Sequence, residues 1–194
     1  PERNDSMNDI LNMKNCRLCP RKCGADRISG TNGFCRMNAL PHAALASIHM
    51  WEEPSISGSK GSGTVFFSGC NLKCIFCQNF DISQENKGKE ISVKRLAEIF
   101  IEQQNKNVHN INLVSAAQFL PAVKEALILA KKNGLTIPVV YNSNGYEKAQ
   151  ALRELEGLID IYLPDIKYFS AELSKELSAA EDYFDVAIKA VKEM

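Results

Sequence analysis

The chain has 194 residues, 45% of them hydrophobic, and its 23 basic and 23 acidic side chains give a formal net charge of zero. That length is enough for one globular domain with a core, and balanced charge provides no field that would gather nucleic acid or an anionic membrane surface. No segment approaches the roughly 18 apolar residues of a membrane span, and residues 1–15 lack the apolar core of a secretion signal. We therefore expect a cytoplasmic protein with neither nucleic-acid nor membrane partners.

The first predicted unit is an irregular segment over residues 1–63. It ends in a Ser/Gly-rich run, residues 57–63, which lacks the spacing of a phosphate-binding loop and which we interpret as a flexible loop covering the cluster site described below. Four of the seven cysteines fall in this unit: Cys16, Cys19, Cys23 and Cys35. Four thiolates in a segment with little apolar periodicity indicate a second metal site, which would supply much of the local fold. Zinc, a single iron and a second Fe–S cluster fit the spacing equally well, and the grouping disfavours unligated cysteines.

The second predicted unit, residues 64–194, alternates short apolar runs with amphipathic segments, as βα units do. The predicted strands are residues 64–68, 110–114, 137–141 and 158–163, which are mostly apolar on both faces, as buried parallel strands are. Helical periodicity predicts helices around residues 96–100, 123–130 and 147–156, and a last one carrying Phe184, Ile188 and Val191. The pattern indicates an α/β fold with a parallel sheet of about four strands.

The most specific motif directly follows the first predicted strand: Cys70-Asn-Leu-Lys-Cys74-Ile-Phe-Cys77. In electron-transfer proteins each iron of a 4Fe–4S cube usually takes one cysteine thiolate, whereas this motif supplies three. An iron without a thiolate is free to bind a ligand directly. Structural zinc would need a fourth ligand, which His49 or His109 would have to fold back to supply. The motif therefore favours a 4Fe–4S cluster with one open iron.

The motif in its context, residues 66–79, resembles the radical S-adenosylmethionine (SAM) enzymes of the pyruvate formate-lyase-activating type. Supporting segments are Gly-Lys-Glu at 88–90, Asn-Ser-Asn-Gly at 142–145 and Asp-Ile-Lys at 165–167. Together with the N-terminal Cys-Arg-Leu-Cys-Pro-Arg-Lys-Cys-Gly, the chain is most similar to a subgroup with an added cysteine-rich module. The resemblance implies a partial parallel (βα) barrel beside an irregular N-terminal metal-binding region.

The resemblance also implies a reaction and a set of contacts. SAM would bind the open iron and be cleaved reductively to a 5′-deoxyadenosyl radical, which in activating enzymes abstracts a hydrogen atom from a glycine of a partner protein. The implied partners are a glycyl radical enzyme or another protein substrate, and an electron donor such as flavodoxin or ferredoxin. The implied SAM contacts are Phe76, against the adenine, and Ser115, Asn142 and Asn144.

Two departures from the family pattern bear on turnover. The turn after the second predicted strand reads Ser115-Ala-Ala-Gln118, where relatives have a glycine-rich or a Thr/Pro/His-containing turn, and the chain carries about four βα units where the family fold has about six. Both predict a chain that binds a cluster but cleaves SAM slowly. The alternatives are a non-catalytic iron–sulfur module and a zinc-stabilised interaction domain.

Overall fold

The computed structural model describes residues 11–194, so the first ten residues of the predicted N-terminal unit lie outside the described part of the chain. The strands are β1 (His42–His49), β2 (Ser62–Phe67), β3 (Lys89–Glu90), β4 (Asn110–Val114), β5 (Val139–Ser143) and β6 (Ile161–Pro164). The helices are α1 (Pro54–Ser57), α2 (Phe80–Ser83), α3 (Val93–Gln104), α4 (Leu120–Lys132), α5 (Ala149–Leu152), α6 (Ala171–Ser178) and α7 (Tyr183–Glu193). Short 3-10 turns lie at Met13–Asn15, Ala117–Phe119 and Arg153–Leu155.

A single six-stranded sheet in the order β3-β1-β2-β4-β5-β6 organises the described residues. Strands β2, β4, β5 and β6 are mutually parallel, with Val65 opposite Leu113 and Leu113 opposite Tyr141. These three side chains are fully buried in one core with the apolar faces of α3 and α4. The predicted α/β fold with a parallel sheet of four strands is confirmed, and the sheet does not close into a barrel.

The predicted helix at residues 123–130 lies within α4, and its apolar stripe is buried as the periodicity indicates: Val123, Ala126, Leu127 and Ala130 are all inaccessible to solvent. Full burial of a side chain the size of Val123 or Leu127 contributes about 1.5–3 kcal/mol, and that of an alanine methyl group less. Basic residues in the last turn, Lys131 and Lys132, favour the carboxyl end of the helix dipole. Helix α4 therefore provides much of the cover of the parallel sheet.

Several element bounds differ from the prediction. Strand β5 begins two residues late, because Pro138 has no N–H to donate to the ladder. The predicted helix at 147–156 is shorter, with one turn of α5 followed by a 3-10 turn. In α7 the buried positions are Tyr183, Ala187 and Ala190 rather than the larger side chains of the predicted stripe. Helix α6 was not predicted.

Strand β1 is the main feature that the sequence prediction missed. It lies within the segment predicted to be irregular, yet it pairs antiparallel with β2, with Ala46 opposite Val65, and β3 pairs with its other edge. Alanine-rich sequence has little β propensity, so the pairing with β2 decides its conformation. Residues 16–41 are irregular, as predicted. Part of the first predicted unit thus belongs to the same sheet as the second.

The Ser/Gly-rich run lies at the amino ends of the parallel strands. The N–H of His109 donates to the carbonyl of Gly61 at 3.0 Å, and Ser62 pairs with Asn110 at the start of β4. The three-cysteine loop, residues 70–77, follows the opposite end of β2, about 20 Å away at roughly 3.3 Å per residue. The expectation that this run covers the cluster site is therefore wrong.

No helix within residues 11–194 combines the length and the apolar character that crossing a membrane requires.

Candidate metal centre

The three-cysteine loop begins where β2 ends, and Gly69 sets its direction. Gly69 has a φ of +74°, which side-chain-bearing residues rarely adopt. A Cβ at this position would lie 2.7 Å from the carbonyl oxygen of Cys35 and 2.5 Å from Cγ of Met37. Only glycine fits, and its close approach packs the three-cysteine loop against the N-terminal cysteines.

Each sulfur of the three-cysteine loop is near a hydrogen-bond donor from another part of the fold. Cys70 Sγ accepts from Asn144 Nδ2, and also from the N–H of Leu72, at 3.4 Å each. Ser178 Oγ of α6 donates to Cys74 Sγ at 2.9 Å. Ser83 Oγ of α2 lies 3.2 Å from Cys77 Sγ. Donors to sulfur stabilise the thiolate form, which is the form that binds metal.

Burial disfavours the thiolate form of Cys70 unless a cation is bound. Desolvation raises the pKa of Cys70 to about 11, and the neighbouring Cys74 and Cys77 contribute to the rise by charge repulsion. The three sulfurs are therefore close enough to repel one another when ionised. A bound metal reverses this balance, because a coordinated thiol is deprotonated by the charge of the metal.

The donor set of this loop fits a cube better than a single ion. Among residues 11–194, no three His, Cys, Asp or Glu side chains are grouped as ligands of one metal ion. A 4Fe–4S cube binds each thiolate to a different iron, so three cysteines need not share one point. His109 precedes β4, at the far end of β2, and the ring of His49 packs against that of Phe66 with Nε2 3.9 Å from Glu52 Oε1. Neither histidine is placed to complete a zinc site here.

Asn144, which the resemblance assigned to the SAM site, contacts a cysteine ligand directly. Besides Cys70 Sγ, its Nδ2 donates to Asn71 Oδ1 at 2.8 Å, and its Oδ1 accepts from the N–H of Tyr146 at 2.9 Å. Asn71 Nδ2 in turn donates to the carbonyl of Tyr146 at 2.6 Å. The turn after β5 is thus joined to the three-cysteine loop by amide hydrogen bonds, and a contact from Asn144 to SAM stays a prediction.

Glu147 is a buried carboxyl group that sequence reasoning missed. It is 4% exposed and accepts hydrogen bonds from Tyr141 Oη at 2.9 Å and from Ser143 Oγ. Desolvation raises its pKa from 4.5 to about 7, although the two hydrogen bonds oppose the rise. No sequence signal separates it from a surface glutamate after an Asn-Gly turn. Its role is to hold Ser143 and with it the turn that carries Asn144.

The other predicted SAM contacts lie at the carboxyl ends of the parallel strands, but with different partners. Asn142 Nδ2 donates to Glu52 Oε2 at 3.3 Å. Ser115 has a φ of +57°, and its N–H donates to the carbonyl of Asn142 at 3.1 Å. Gln118 Nε2 donates to three carbonyls, those of Ser68, Gly69 and Ser115, at 2.8–3.0 Å. Gln118 therefore fixes the turn after β4 to the start of the three-cysteine loop.

Phe76 and the Asp-x-Lys pair lie at the surface. Phe76 is 54% exposed, and its ring centroid is 6.2 Å from that of Tyr168 in an edge arrangement. Much of the ring thus stays accessible, as stacking on an adenine would require. Asp165 and Lys167 form an ion pair with each other. Such a pair contributes little to stability.

The four N-terminal cysteines lie close enough to influence one another electrostatically, although no three of them are grouped around one metal ion within residues 11–194. Cys16 and Cys35 are buried, Cys19 is partly buried and Cys23 is exposed. Burial raises the pKa of Cys19 to about 12, and the other three cysteines add to it by charge repulsion. Burial also opposes ionisation of Cys23, but N–H groups of the backbone outweigh it and lower the pKa. These sulfurs are therefore neighbours, in a segment packed against the three-cysteine loop.

Direct contacts join these two groups of cysteines. Arg21 Nε donates to the carbonyl of Asn71 at 2.8 Å, and the guanidinium of Arg21 lies 3.9 Å above the ring of Phe34. Lys73 Nζ lies 5.0 Å from the same ring. Lys73 is within electrostatic range of Cys70 and Cys35, which belong to different groups of cysteines.

Sequence comparison relates the part of the chain that carries the three-cysteine loop and the parallel strands to a known family. The family model of the Radical SAM superfamily matches residues 64–194, so the chain belongs to the radical SAM superfamily. An uncharacterized protein of Methanocaldococcus jannaschii is 35% identical over 183 residues, which are 90% of this chain and 52% of that protein.

More distant relatives include the pyruvate formate-lyase 1-activating enzyme of Escherichia coli. It is 23% identical over 149 residues, which are 73% of this chain and 60% of that enzyme. A second uncharacterized protein of Methanocaldococcus jannaschii is 24% identical over 80% of this chain and 50% of its own length. The chain thus spans about half the length of the uncharacterized relatives that it matches.

Proposed function

We propose that this chain is a cytoplasmic radical SAM enzyme of the glycyl-radical-activating type. The observation that carries the proposal is the three-cysteine loop, in which Cys70, Cys74 and Cys77 each have a donor near the sulfur. Similarity to a pyruvate formate-lyase-activating enzyme supports the activating role. A reduced 4Fe–4S cluster held by this loop would supply one electron for cleavage of SAM into methionine and a 5′-deoxyadenosyl radical, which would abstract a hydrogen atom.

The residues of this chain hold and orient these groups. Cys70, Cys74 and Cys77 would bind three irons of the cluster, while Asn144 and Ser178 donate to the sulfurs of Cys70 and Cys74. Phe76 offers an accessible ring for the adenine. The carboxyl ends of β4 and β5 bring Ser115 and Asn142 to the same edge of the sheet as the loop. Loops at this edge are where parallel βα folds carry their active sites. A protein substrate and an electron donor such as flavodoxin or ferredoxin complete the proposal.

We further propose that Cys16, Cys19, Cys23 and Cys35 form a second metal centre. Their mutual electrostatic influence supports it. Because no three of these sulfurs are grouped around one ion within the described residues, binding zinc would require the segment to close around the metal. Closure of this kind is typical of segments that fold on their metal.

The test is anaerobic reconstitution of the full chain with iron and sulfide, followed by reduction in the presence of SAM. We expect broad visible absorption, bound iron and sulfide, and formation of 5′-deoxyadenosine. Cys74→Ala should lose the absorption of this cluster and the product, because two thiolates hold a cube poorly. Cys23→Ala, an exposed cysteine of the other group, is the matched control and should keep both. A Cys74→Ala chain that still forms 5′-deoxyadenosine would contradict the proposal.

A non-catalytic iron–sulfur module is the second candidate, and Gln118 favours it. Both hydrogens of its amide group are directed to backbone carbonyls, so the turn after β4 offers only Ser115 as a polar side chain toward SAM. Small misplacements of a reacting group can cost about a hundredfold in rate. A reconstituted cluster that is reduced normally but yields no 5′-deoxyadenosine would establish this second candidate.

A further inference from the structure

Arg27 is a buried cation without a carboxylate partner. Its side chain is 1% exposed, and no Asp or Glu within residues 11–194 forms a salt bridge with it. Nε donates to the carbonyl of Met37 at 2.9 Å and Nη2 to that of Asn38 at 2.6 Å. The guanidinium carbon lies 5.7 Å from the ring centroid of Phe119. The carbonyls satisfy hydrogen bonds but leave the charge unneutralised.

Burying an unpaired charge costs several kcal/mol, so a guanidinium at this depth calls for a counter-charge. The third nitrogen of the guanidinium indicates where this counter-charge lies, because Arg27 Nη1 donates to Cys16 Sγ at 3.8 Å. Cys16 belongs to the four-cysteine group, and Cys35 of the same group lies in the core beside it. A neutral thiol supplies no negative charge. A metal–thiolate centre does supply one. The combined negative charge of four thiolates exceeds the positive charge of Zn²⁺, of a single iron or of a 4Fe–4S core, so the centre is anionic.

We infer that Arg27 is the counter-cation of an anionic metal–thiolate centre formed by Cys16, Cys19, Cys23 and Cys35. The inference rests on the second metal centre proposed above and adds the charge of that centre and the residue that balances it. Arg27 is a positioning residue in this account. It contacts Cys16 Sγ, and its other hydrogen bonds reach the carbonyls of Met37 and Asn38, shortly after Cys35 in the chain. Outer partners of metal ligands typically contribute about 10–100-fold to metal affinity.

The alternative is a purely structural role, in which Arg27 only joins the carbonyls of Met37 and Asn38. The two roles differ in what metal does to stability. An arginine that only joins these two carbonyls stabilises the metal-free and the metal-bound chain equally. Its loss therefore lowers the melting temperatures of both forms by the same amount. A counter-cation stabilises the loaded chain selectively, so its loss reduces the rise in melting temperature that metal produces.

The experiment uses the full chain with Cys70→Ser, Cys74→Ser and Cys77→Ser, so that metal binds only the four-cysteine group. Zn²⁺ affinity is measured by competition with a chelator, and Co²⁺ absorption reports the thiolate ligands. A parallel arm reconstitutes the same proteins with iron and sulfide. The variants are Arg27→Met, which removes the charge, and Arg27→Lys, which keeps it. Arg36→Met is the matched control, since Arg36 is exposed and adjacent to Cys35.

We expect Arg27→Met to weaken binding of the metal that the centre takes by about 10–100-fold and to reduce the metal-dependent rise in melting temperature. Arg27→Lys should lose less, and Arg36→Met should bind as the parent does. If Arg27→Met lowers the melting temperatures of the metal-free and the metal-bound chain equally and leaves the metal affinity unchanged, Arg27 has only a structural role and the inference is overturned. If the parent itself takes up neither Zn²⁺, Co²⁺ nor iron, the second metal centre fails and the inference with it.

Discussion

Replacing Glu147 by glutamine should remove a pH dependence of stability that one buried carboxyl group imposes. The pKa of Glu147 rises from 4.5 to about 7 in the folded chain. At about 1.4 kcal/mol per pKa unit, this difference corresponds to roughly 3 kcal/mol. Glutamine has nearly the same shape and still accepts from Tyr141 Oη, so the substitution removes the titration with little change in packing.

The direction of the effect follows from which state holds the proton. Below pH 4.5 the carboxyl group of Glu147 is neutral in both the folded and the unfolded chain, and it does not change the free energy of unfolding. Between 4.5 and about 7 the unfolded chain releases the proton while the folded chain keeps it. The free energy of unfolding therefore falls as pH rises through this range, by roughly 3 kcal/mol in total, and then levels off.

The assay is urea unfolding of the reduced, metal-free chain between about pH 5 and pH 8, which covers most of this range. Parent and Glu147→Gln should differ in slope, with Glu147→Gln gaining stability relative to the parent as pH rises. Glu125→Gln on α4 is the matched control, because Glu125 is exposed. Identical pH profiles for the parent and Glu147→Gln would refute the assignment of a buried neutral carboxyl group.

Three further predictions concern the cysteine groups. Asn144→Ala removes a donor from Cys70 Sγ and should lower the reduction potential of the reconstituted cluster, since hydrogen bonds to sulfur favour the more negative reduced state; a redox titration showing no shift would contradict this. Gly69→Ala should lower the free energy of unfolding, measured with urea, by about 1–3 kcal/mol more than Gly134→Ala. Both glycines have positive φ, but only a Cβ at Gly69 meets other atoms. Equal losses for the two variants would exclude the close approach of Gly69 to Cys35. The Cys19→Ala, Cys23→Ala double variant should bind less metal and keep the absorption of the three-cysteine cluster; loss of both signals would indicate one shared centre.

The sequence was most informative where ligands are close along the chain. Cys70, Cys74 and Cys77 fall within eight residues, so their spacing alone predicts the loop that holds them. The parallel strands were equally predictable, because each is a short run of residues that are mostly apolar on both faces. Predicted residues 110–114 coincide with β4. The sequence pattern did not predict elements whose conformation depends on a neighbouring strand. Strand β1 is alanine-rich and becomes a strand only by pairing with β2.

Buried polar side chains were the least predictable part of the candidate site. Glu147, Gln118 and Arg27 are residue types that usually lie at the surface, and nothing in their local sequence indicates burial. Each is buried because tertiary contacts satisfy its polar atoms. Gln118 reaches a carbonyl 50 residues away, whereas the partners of Glu147 and Arg27 are near in sequence but become partners only through the shape of the turns between them.

The distance along the chain between sulfurs and their donors has a consequence for assembly. Asn144 is 74 residues from Cys70, and Ser178 is 104 residues from Cys74. The three cysteines are therefore close together as soon as the loop has formed. The donors to Cys70 and Cys74 reach them only after β5 has paired in the sheet and α6 has packed against the loop. A cluster inserted before that point would lack these donors and have a different potential. Folding of the carboxyl half should accordingly precede stable cluster binding, and the donors from β5 and α6 connect the redox properties of the cluster to the completeness of the sheet.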